Sequence, residues 1–466
     1  MKVQFLGAVR QVTGSRCLLE AGGLRVLIDC GYYQERDYLA RNWEPMPVDP
    51  ASIDYLLLTH AHLDHCGSTP KFVGEGFAGT ILTTAATRDL AEIIMFDSAH
   101  IQEEDAAYKR KRHEREGRKG PYPVRALYTA DDVRQTLPLF KTARYDQPTP
   151  LNDDVSVTYH DAGHILGSAM LELNVRSNGE ARTVVFSGDI GQWDKPIVRD
   201  PSVFERADYI VMESTYGGRN HDETRAVEDQ LCDVINETVA AGGNVVIPTF
   251  AVERAQELMY HISRLTEDRR IPQLIAFLDS PMAADVTEVF RQHQDCMDEE
   301  ALAILRSGNR LMQFPGCNFT RTTGESKAIN RIKGSCIIMA TSGMCTAGRI
   351  KHHLANNVGR PESSLVFIGF QAHGTLGREF VDGKRRVRIH GQHHEVKARV
   401  VQIHGFSAHA DQSGLLKWLG ALKEAPRQVF LMHGEEEAAL ALADKIRERW
   451  SWDAVVPDYQ DEHELD

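Results

Sequence analysis

Three histidines and an aspartate lie within six consecutive positions of the stretch LLLTHAHLDHCG. His60 and His62 are two positions apart, so in extended backbone their side chains project to the same side and can share one ion. Asp64 and His65 come after the chain turns, so they face a different point and can hold a second ion nearby. Nitrogen and oxygen ligands suit zinc, with manganese and iron as alternatives. The single thiol of Cys66 is typical of local packing.

These residues follow a short apolar run, which predicts a buried parallel strand that feeds a loop. Similar β-rich runs alternate with helical patterns along most of the chain, and we predict strands in VQFLGAV, RVLIDCG, YLLLTH, TILTT, VSVTYHDAGH, AMLELNV, TVVFSGDIG, YIVMESTYG, NVVIPTF, QLIAFLD, CIIMATSG, SLVFIGF, ARVVQIHGF and QVFLMHG. The pattern indicates an α/β protein with large sheets.

Polar residues recur where these runs end, at Asp29, His164, Asp189, Glu213, His409 and His433. In open α/β sheets, ligands gather beyond the carboxyl ends of strands.

The composition is that of an ordinary globular protein. The chain has 466 residues, 42% of them hydrophobic and 26% charged, which predicts more than one compact domain. We find no apolar stretch long enough to cross a bilayer, and the first residues read as a strand and not as a signal peptide, so we expect a cytoplasmic protein. The eight cysteines are scattered without a CxxC pair, which indicates neither a disulfide framework nor a zinc finger.

Charge limits the ways in which the protein could bind nucleic acid. The net charge of −13 disfavours nonspecific binding of polyanions, so positive charge would have to be concentrated locally or supplied by metal. One basic run, KRKRHEREGRK at residues 109–119, follows a predicted helix. A solvated helix face or loop is the simpler interpretation of this run, and a contact with RNA is the alternative.

The histidine string is part of a longer pattern. THAHLDH, with a later histidine in a GH pair and an aspartate in SGD, resembles the binuclear hydrolase pattern of the metallo-β-lactamase fold between Asp29 and Asp189. That fold supports several hydrolytic reactions, so the second half of the chain must choose among them. Six stretches of the second half are similar to motifs of the β-CASP nucleases: ESTYGG, PTFAVERAQEL, ATSGMCTAGR, GFQAHGTLGR, FSAHAD and LMHG. They are most similar to the short prokaryotic ribonucleases that resemble the cleavage and polyadenylation specificity factor endonuclease.

The resemblance implies an architecture. The expected fold is an α/β metallo-β-lactamase αββα sandwich with an inserted α/β β-CASP domain. We expect the first part of the sandwich at residues 1–215, the β-CASP domain at 216–389 and the return segment at 390–466.

The resemblance also implies a set of site residues. Seven side chains would hold two zinc ions per chain: His60, His62, Asp64, His65, His164, Asp189 and His433. Asp189 would bridge the ions, and His433, in the last of three β-CASP motifs, would complete the second metal site.

Catalysis would then depend on three side chains. Asp64 would orient a metal-activated hydroxide, His409 would protonate the leaving 3′-oxygen, and Glu213 would hold His409. For His409 a supporting contact with a zinc ligand is the alternative, and for Glu213 a helix cap or surface acid. The glycine-rich loops supply four expected contacts to the RNA backbone, or else simple turns with surface arginines: Ser342, Arg349, Thr375 and Arg378.

The implied activity is hydrolysis of RNA phosphodiester bonds, endonucleolytic and also 5′–3′ exonucleolytic, in RNA processing or decay. Relatives that act on DNA tend to carry valine at the position of His433, so this histidine favours single-stranded RNA. The resemblance also implies a homodimer. One rival is a small-molecule hydrolase, which would need no inserted domain and no Glu213/His409 pair. The other is a metal-free RNA-binding scaffold, which would have no reason to keep seven metal-binding side chains.

Overall fold

The protein is described here by a computed structural model that covers residues 1–117, 120, 122–177, 179–221, 225–308, 310–369 and 371–466. Two residues of the predicted basic run, Arg118 and Lys119, lie outside this set. The chain divides into two compact units. The first unit consists of Met1–Asn220 and His409–Asp466, and the second unit is His221–Ala408.

The described residues contain strands β1–β22. Their bounds are Lys2–Gly7, Arg16–Ala21, Leu24–Ile28, Tyr55–Leu57, Thr80–Thr84, Phe140–Ala143, Thr149–Pro150, Val155–Asp161, Ala169–Ser177, Glu180–Phe186, Tyr209–Glu213, Val245–Pro248, Ile275–Asp279, Cys317–Phe319, Cys336–Ala340, Ser364–Phe367, Arg386–Ile389, Gln392–Glu395, Arg399–Gln402, Gln428–Met432, Ala454–Val455 and Glu462–Glu464. Every run predicted as a strand overlaps one of them.

The same residues contain α-helices α1–α13. Their bounds are Leu63–Cys66, Thr69–Gly74, Ala85–Glu116, Ala130–Thr136, Val227–Ala240, Arg254–Glu267, Pro281–Gln292, Glu299–Arg306, Thr323–Ile329, Ile350–Asn357, Leu376–Val381, Gln412–Leu419 and Glu436–Trp450. The longest, α3, begins after Thr84, whose side chain accepts a hydrogen bond from the backbone NH of Thr87. It is too polar to cross a membrane, and no other helix of the described residues is both long and apolar enough to do so.

The first unit is built on two seven-stranded sheets. Their strand orders are β22-β1-β2-β3-β4-β5-β6 and β21-β20-β11-β10-β9-β8-β7. Side chains alternate between the faces of each strand, so one face of each sheet can pack on the other sheet. In β20, Phe430 points into the core between the sheets, whereas Leu431 packs on the opposite face with α12 and α13. These layers confirm the predicted αββα sandwich.

The second unit has a six-stranded sheet in the order β14-β13-β15-β12-β16-β19, and every pair in it is parallel. The strands of this sheet other than β19 are followed by helices, whereas the chain leaves the unit after β19. The unit is therefore the predicted α/β domain. Residues 390–408, which the sequence predicted to return to the sandwich, lie in this unit because β19 pairs with β16. The predicted division at 216 and 389 stays a prediction.

A buried carboxylate stabilises the loops beyond the carboxyl end of this sheet. Asp279, the last residue of β13, accepts hydrogen bonds from His353 Nε2 at 2.6 Å, Ser326 Oγ at 2.5 Å and Arg349 Nη1 at 2.7 Å, and another from the hydroxyl of Thr320. Burial opposes ionisation, but the hydrogen bond from His353 and those from Ser326, Thr320 and Arg349 hold the pKa of Asp279 well below its usual range. A single fully buried charge thus joins four segments.

Replacing Asp279 by alanine should destabilise the second unit by about 3–5 kcal/mol, because His353 and Arg349 would lose their buried partner. The pKa of Asp279 is lower in the folded than in the unfolded chain, so its contribution is full above the unfolded value of about 4 and declines as the pH falls below it. Denaturant unfolding, followed by hydrogen exchange in the strands of the second unit, measures both effects.

The matched control is Asp285→Ala. Asp285 is 47% exposed in its side chain and pairs with Arg321 at 2.6 Å, so its loss should change stability by less than about 1 kcal/mol. Equal effects of the two substitutions would show that the Asp279 network is not a major stabilising contact.

Candidate metal centre

All the side chains predicted to act at the metal site belong to the first unit, and loops after strand ends carry most of them. His60 and His62 lie between β4 and α1, and α1 itself presents His65. His164 follows β8 and Asp189 follows β10. The loop after β10 is tight, because Gly188 adopts φ +52° and a Cβ on it would come within 2.8 Å of the Thr59 side chain.

The first group of donors consists of His60, His62, His164 and Asp189. His62 Nδ1 lies 3.0 Å from His60 Nε2 and 3.1 Å from His164 Nε2. The Oδ2 atom of Asp189 lies 3.4 Å from the Nε2 atom of both His60 and His164. Four side chains from three separate loops therefore direct one donor atom each at a single point.

The second group consists of Asp64, His65 and His433. The Nε2 atoms of His65 and His433 are 3.0 Å apart, and His433 Nε2 lies 3.5 Å from Asp64 Oδ2. The other carboxylate oxygen of Asp189, Oδ1, lies 3.3 Å from His65 Nε2. Asp189 thus faces both groups, one oxygen toward each, which is the arrangement of a bridging ligand.

The backbone of His433 is held in an unusual conformation at this point. It directly follows β20 and adopts φ +51°, a left-handed conformation that residues other than glycine rarely take. Its NH donates to the carbonyl of Ala8 at 2.6 Å, and its Nδ1 lies 3.1 Å from the Thr215 hydroxyl. Strain that is fixed by surrounding contacts is typical of functional positions.

Burial controls the protonation of the first group. Burial holds the pKa of His60 and of His164 well below its usual value and lowers that of His62 to about 4. These three imidazoles are consequently neutral at pH 7, which is the form that binds a metal ion. For His65, burial also lowers the pKa, but the carboxylates of Asp189 and Asp29 outweigh it and raise the pKa well above its usual value.

The donors fit zinc on two grounds. Nitrogen–nitrogen distances of 3.0–3.1 Å are close to the edge of about 3.3 Å of a tetrahedron with zinc–nitrogen bonds of 2.0–2.1 Å. The Oδ1 atom of Asp189 is buried and accepts no hydrogen bond from the described residues, so a cation would satisfy it. Cys66 donates to the carbonyl of Ala61 at 3.4 Å instead of joining the donors, as local packing predicts.

A contact network behind the donors orients His65. Asp29 Oδ2 accepts a hydrogen bond from His65 Nδ1 at 2.7 Å, which leaves Nε2 directed at the second group. Asp29 also accepts from the backbone NH and hydroxyl of Thr59. The position of Asp29 at a strand end predicted a place at the edge of the sheet where ligands gather. Thr59 and Thr215 were not anticipated, although Thr59 directly precedes the histidine string.

Glu213 and His409 form a pair beside the first group. His409 Nδ1 lies 3.1 Å and 3.2 Å from the two carboxylate oxygens of Glu213. Glu213 ends β11 and also accepts from the backbone NH of Ile190 at 2.6 Å. His409 is seven positions beyond β19, and a β-bridge with Gly191 fixes it in the first unit. His409 Nε2 faces Asp189 Oδ2 at 3.9 Å.

The four predicted RNA contacts lie in the second unit, where each makes contacts within the protein. Arg349 binds Asp279 and the carbonyl of Arg321, and Arg378 Nε pairs with Asp382 at 2.7 Å. Thr375 caps α11, and the Ser342 hydroxyl accepts from the backbone NH of Thr346 at 3.2 Å. These contacts agree with a structural role, and RNA binding by the four residues stays a prediction.

Three family models match the chain. A metallo-β-lactamase superfamily domain matches residues 18–193, a Beta-Casp domain matches residues 255–380, and a Zn-dependent metallo-hydrolase RNA specificity domain matches residues 393–457. Together they cover both parts of the first unit and most of the second. The chain belongs to the metallo-β-lactamase-fold β-CASP ribonuclease family, whose members are zinc-dependent metallo-hydrolases, and its His/Asp groups are the metal-binding part.

Individual relatives agree with this assignment. The chain is 38% identical to the ribonuclease TTHA0252 of Thermus thermophilus over 95% of each chain. It is 30% identical to the transcription termination factor FttA of Methanocaldococcus jannaschii over 98% of this chain and 70% of the relative. A crystal structure of a protein of unknown function from Enterococcus faecalis shares the fold, with a TM-score of 0.54, 11% identity and coverage of 100% of this chain and 99% of that one.

Asp29→Ala should weaken zinc binding about 10–100-fold, because His65 would lose the partner that directs its Nε2 atom. Competition with a chromophoric chelator measures the change in affinity. Asp29→Asn keeps an oxygen acceptor of the same size and should cause a smaller loss. If both variants bind zinc as tightly as the unmodified protein, Asp29 does not position His65.

Proposed function

We propose that the protein hydrolyses single-stranded RNA with two zinc ions, cutting internal phosphodiester bonds and also degrading RNA in the 5′–3′ direction. The observation that carries this proposal is the carboxylate of Asp189, which directs one oxygen to each of two donor groups in a chain of the β-CASP ribonuclease family. The name of the Thermus thermophilus relative, a ribonuclease, supports RNA as the substrate.

The seven donors divide into two sets around Asp189. His60, His62 and His164 would hold one zinc ion, Asp64, His65 and His433 the other, and Asp189 would bind both. Two zinc ions at such a site would lower the pKa of a water molecule between them and neutralise charge on the phosphate. A phosphodiester carries negative charge, so this neutralisation is what an attacking oxygen requires.

His409 is suited to deliver a proton to the leaving group. Glu213 contacts Nδ1 with both carboxylate oxygens, so this nitrogen carries a proton and the ring orientation is fixed. The opposite nitrogen, Nε2, is directed toward Asp189 and hence toward the donor groups. A proton on Nε2 would pass to the 3′-oxygen as its bond to phosphorus breaks, leaving 3′-hydroxyl and 5′-phosphate ends.

A competing role for His409 has support in the geometry. Donor atoms of Asp189, Glu213 and His409 lie within 4.8 Å of one another, so these three side chains could also hold a cation. Proton delivery and metal binding by His409 have different consequences for zinc content, which allows them to be separated.

We expect two zinc ions per chain in the unmodified protein and in His409→Ala, but fewer in His433→Ala, which removes a donor from the second group. His409→Ala should still bind RNA and lose about 10²–10⁴-fold in kcat, the usual contribution of a positioned acid or base. Elemental analysis and single-turnover cleavage measure the two quantities.

A substrate with sulfur in place of the bridging 3′-oxygen tests the proton directly. Its leaving group needs little protonation, so cleavage by His409→Ala should largely recover while cleavage by His433→Ala should not. Zinc loss in His409→Ala would establish the metal-binding role instead, and full activity in that variant would exclude both roles.

The substrate class can be tested with labelled and circular RNA. We expect cleavage of a circular single strand, since internal cutting needs no end, and progressive shortening of linear RNA from a 5′ end. Duplex DNA should be a poor substrate. Equal turnover of DNA would overturn the preference for RNA, and activity confined to thioesters would favour the small-molecule hydrolase. RNA binding without zinc or cleavage would favour the scaffold. The homodimer and the cytoplasmic location stay predictions.

A further inference from the structure

A charged hairpin projects from the core of the second unit. Strands β17 and β18 pair antiparallel, and His390 and Gly391 form the two-residue turn, with φ of +48° and +82°. Positive φ at both positions is the geometry of a type I′ turn, which matches the twist of paired strands. Val387 and Ile389 are fully or almost fully buried and belong to the hydrophobic core, so one face of the hairpin is anchored.

The opposite face of the hairpin is exposed and basic. Arg386 and Arg388 alternate with the two buried residues and therefore project away from the core. In the register His393 lies opposite Arg388, and Glu395, which binds Lys397, lies opposite Arg386. Arg385 precedes the strand and is exposed as well. Arg388 Nε donates to the carbonyl of Gly391 at 3.2 Å, which holds its guanidinium near the turn.

The acidic residues near the hairpin are already paired with other cations. Glu379 binds Lys384 at 2.7 Å, Asp382 binds Arg378 at 2.7 Å, and Glu395 binds Lys397 at 3.2 Å.

Three arginines remain after these pairs are formed. Within the described residues, Arg385, Arg386 and Arg388 form no ion pair. The protein carries a net charge of −13, so three adjacent cations without carboxylate partners are a local concentration of charge.

The turn of the hairpin also packs against a helix of the second unit. The rings of His352 on α10 and His390 stack, with centroids 4.3 Å apart and an angle of 27° between them. Burial lowers the pKa of His390, and so do the neighbouring charges of His352, Lys351 and His394. In the described residues, the groups of three or more metal donors all lie in the first unit, so these imidazoles do not form a comparable metal site.

We propose that the exposed face of this hairpin binds the phosphate backbone of single-stranded RNA. Guanidinium groups bind phosphate oxygens in pairs, and arginines without a carboxylate partner need break no ion pair to do so. The face carries no large apolar side chain, so it offers charge and not a hydrophobic contact. This proposal rests on the proposed function for the class of ligand, but not on any catalytic residue.

The test compares Arg385→Gln/Arg386→Gln/Arg388→Gln with the unmodified zinc-loaded protein. Fluorescence anisotropy with a single-stranded RNA of roughly thirty nucleotides, made with hydrolysis-resistant phosphorothioate linkages, measures affinity over a range of salt concentrations. Each lost phosphate contact lowers the slope of log affinity against log salt by about 0.7, so the slope should fall by about 2 and the Kd should rise about tenfold or more.

The matched control removes three cations that are ion-paired elsewhere in the second unit. Arg270→Gln/Arg291→Gln/Arg306→Gln changes the net charge equally, but each of these arginines has a carboxylate partner, at 2.6, 3.1 and 3.4 Å respectively. Its Kd should stay within about twofold of the unmodified value. Arg385→Lys/Arg386→Lys/Arg388→Lys should restore most of the salt dependence, which separates lost charge from misfolding.

An unchanged slope in the glutamine variant, or an equal loss in the control, would overturn the proposal. So would a loss of self-association without a loss of RNA affinity, because the face would then bind the acidic surface of a second copy. The outcome is independent of cleavage. A protein that fails to cleave RNA yet shows the slope change would refute only the proposed function, and cleavage with an unchanged slope would refute only the hairpin.

Discussion

The geometry of the metal centre in the first unit depends on one constraint, the free-energy cost of burying polar atoms that have no hydrogen-bond partner. Imidazole nitrogens and carboxylate oxygens converge at the ends of its strands, and Asp189 Oδ1 accepts no hydrogen bond from the described residues. A buried polar atom without a hydrogen bond costs several kcal/mol, and lone pairs directed at one point also repel each other. A cation between them removes both penalties. The convergence of these donors is therefore unfavourable without a bound cation and favourable with one.

The sandwich makes that convergence possible. Its two sheets pack through alternating apolar side chains, so the strand ends keep fixed positions and the loops after them need few residues to reach the centre. The chain accepts local strain for the same purpose. Contacts with Ala8 and Thr215 hold His433 in a left-handed backbone conformation, and Asp29 accepts a hydrogen bond from the far side of the His65 ring. Rigid support of this kind sets the ligand geometry more closely than loops could on their own.

Residue type and spacing predicted the donors because metal chemistry restricts both. His60 and His62 had to share a side of the chain, and a histidine or acid at each strand end had to face the same edge. Other features have no such restriction. The strand Arg16–Ala21, RCLLEA, contains no strong β-forming pattern and is a strand because it pairs with the strands on both sides. Thr59 and Thr215 act through hydroxyl contacts that their surroundings decide, and the sequence Arg386–Ile389 shows a basic stretch without showing which arginines lack a carboxylate.

The two units divide the physical requirements of an RNA hydrolase. In the described residues the metal donors all belong to the first unit, although the second unit holds the segment between its two parts. An acidic protein repels RNA at long range, and this repulsion extends over roughly 8–10 Å at physiological salt. Attraction must therefore come from places where positive charge is not cancelled. A metal centre is one such place and is suited to the phosphate that reacts. Arginines such as Arg386 and Arg388, which lack carboxylate partners, are another, and they can hold phosphates that do not react.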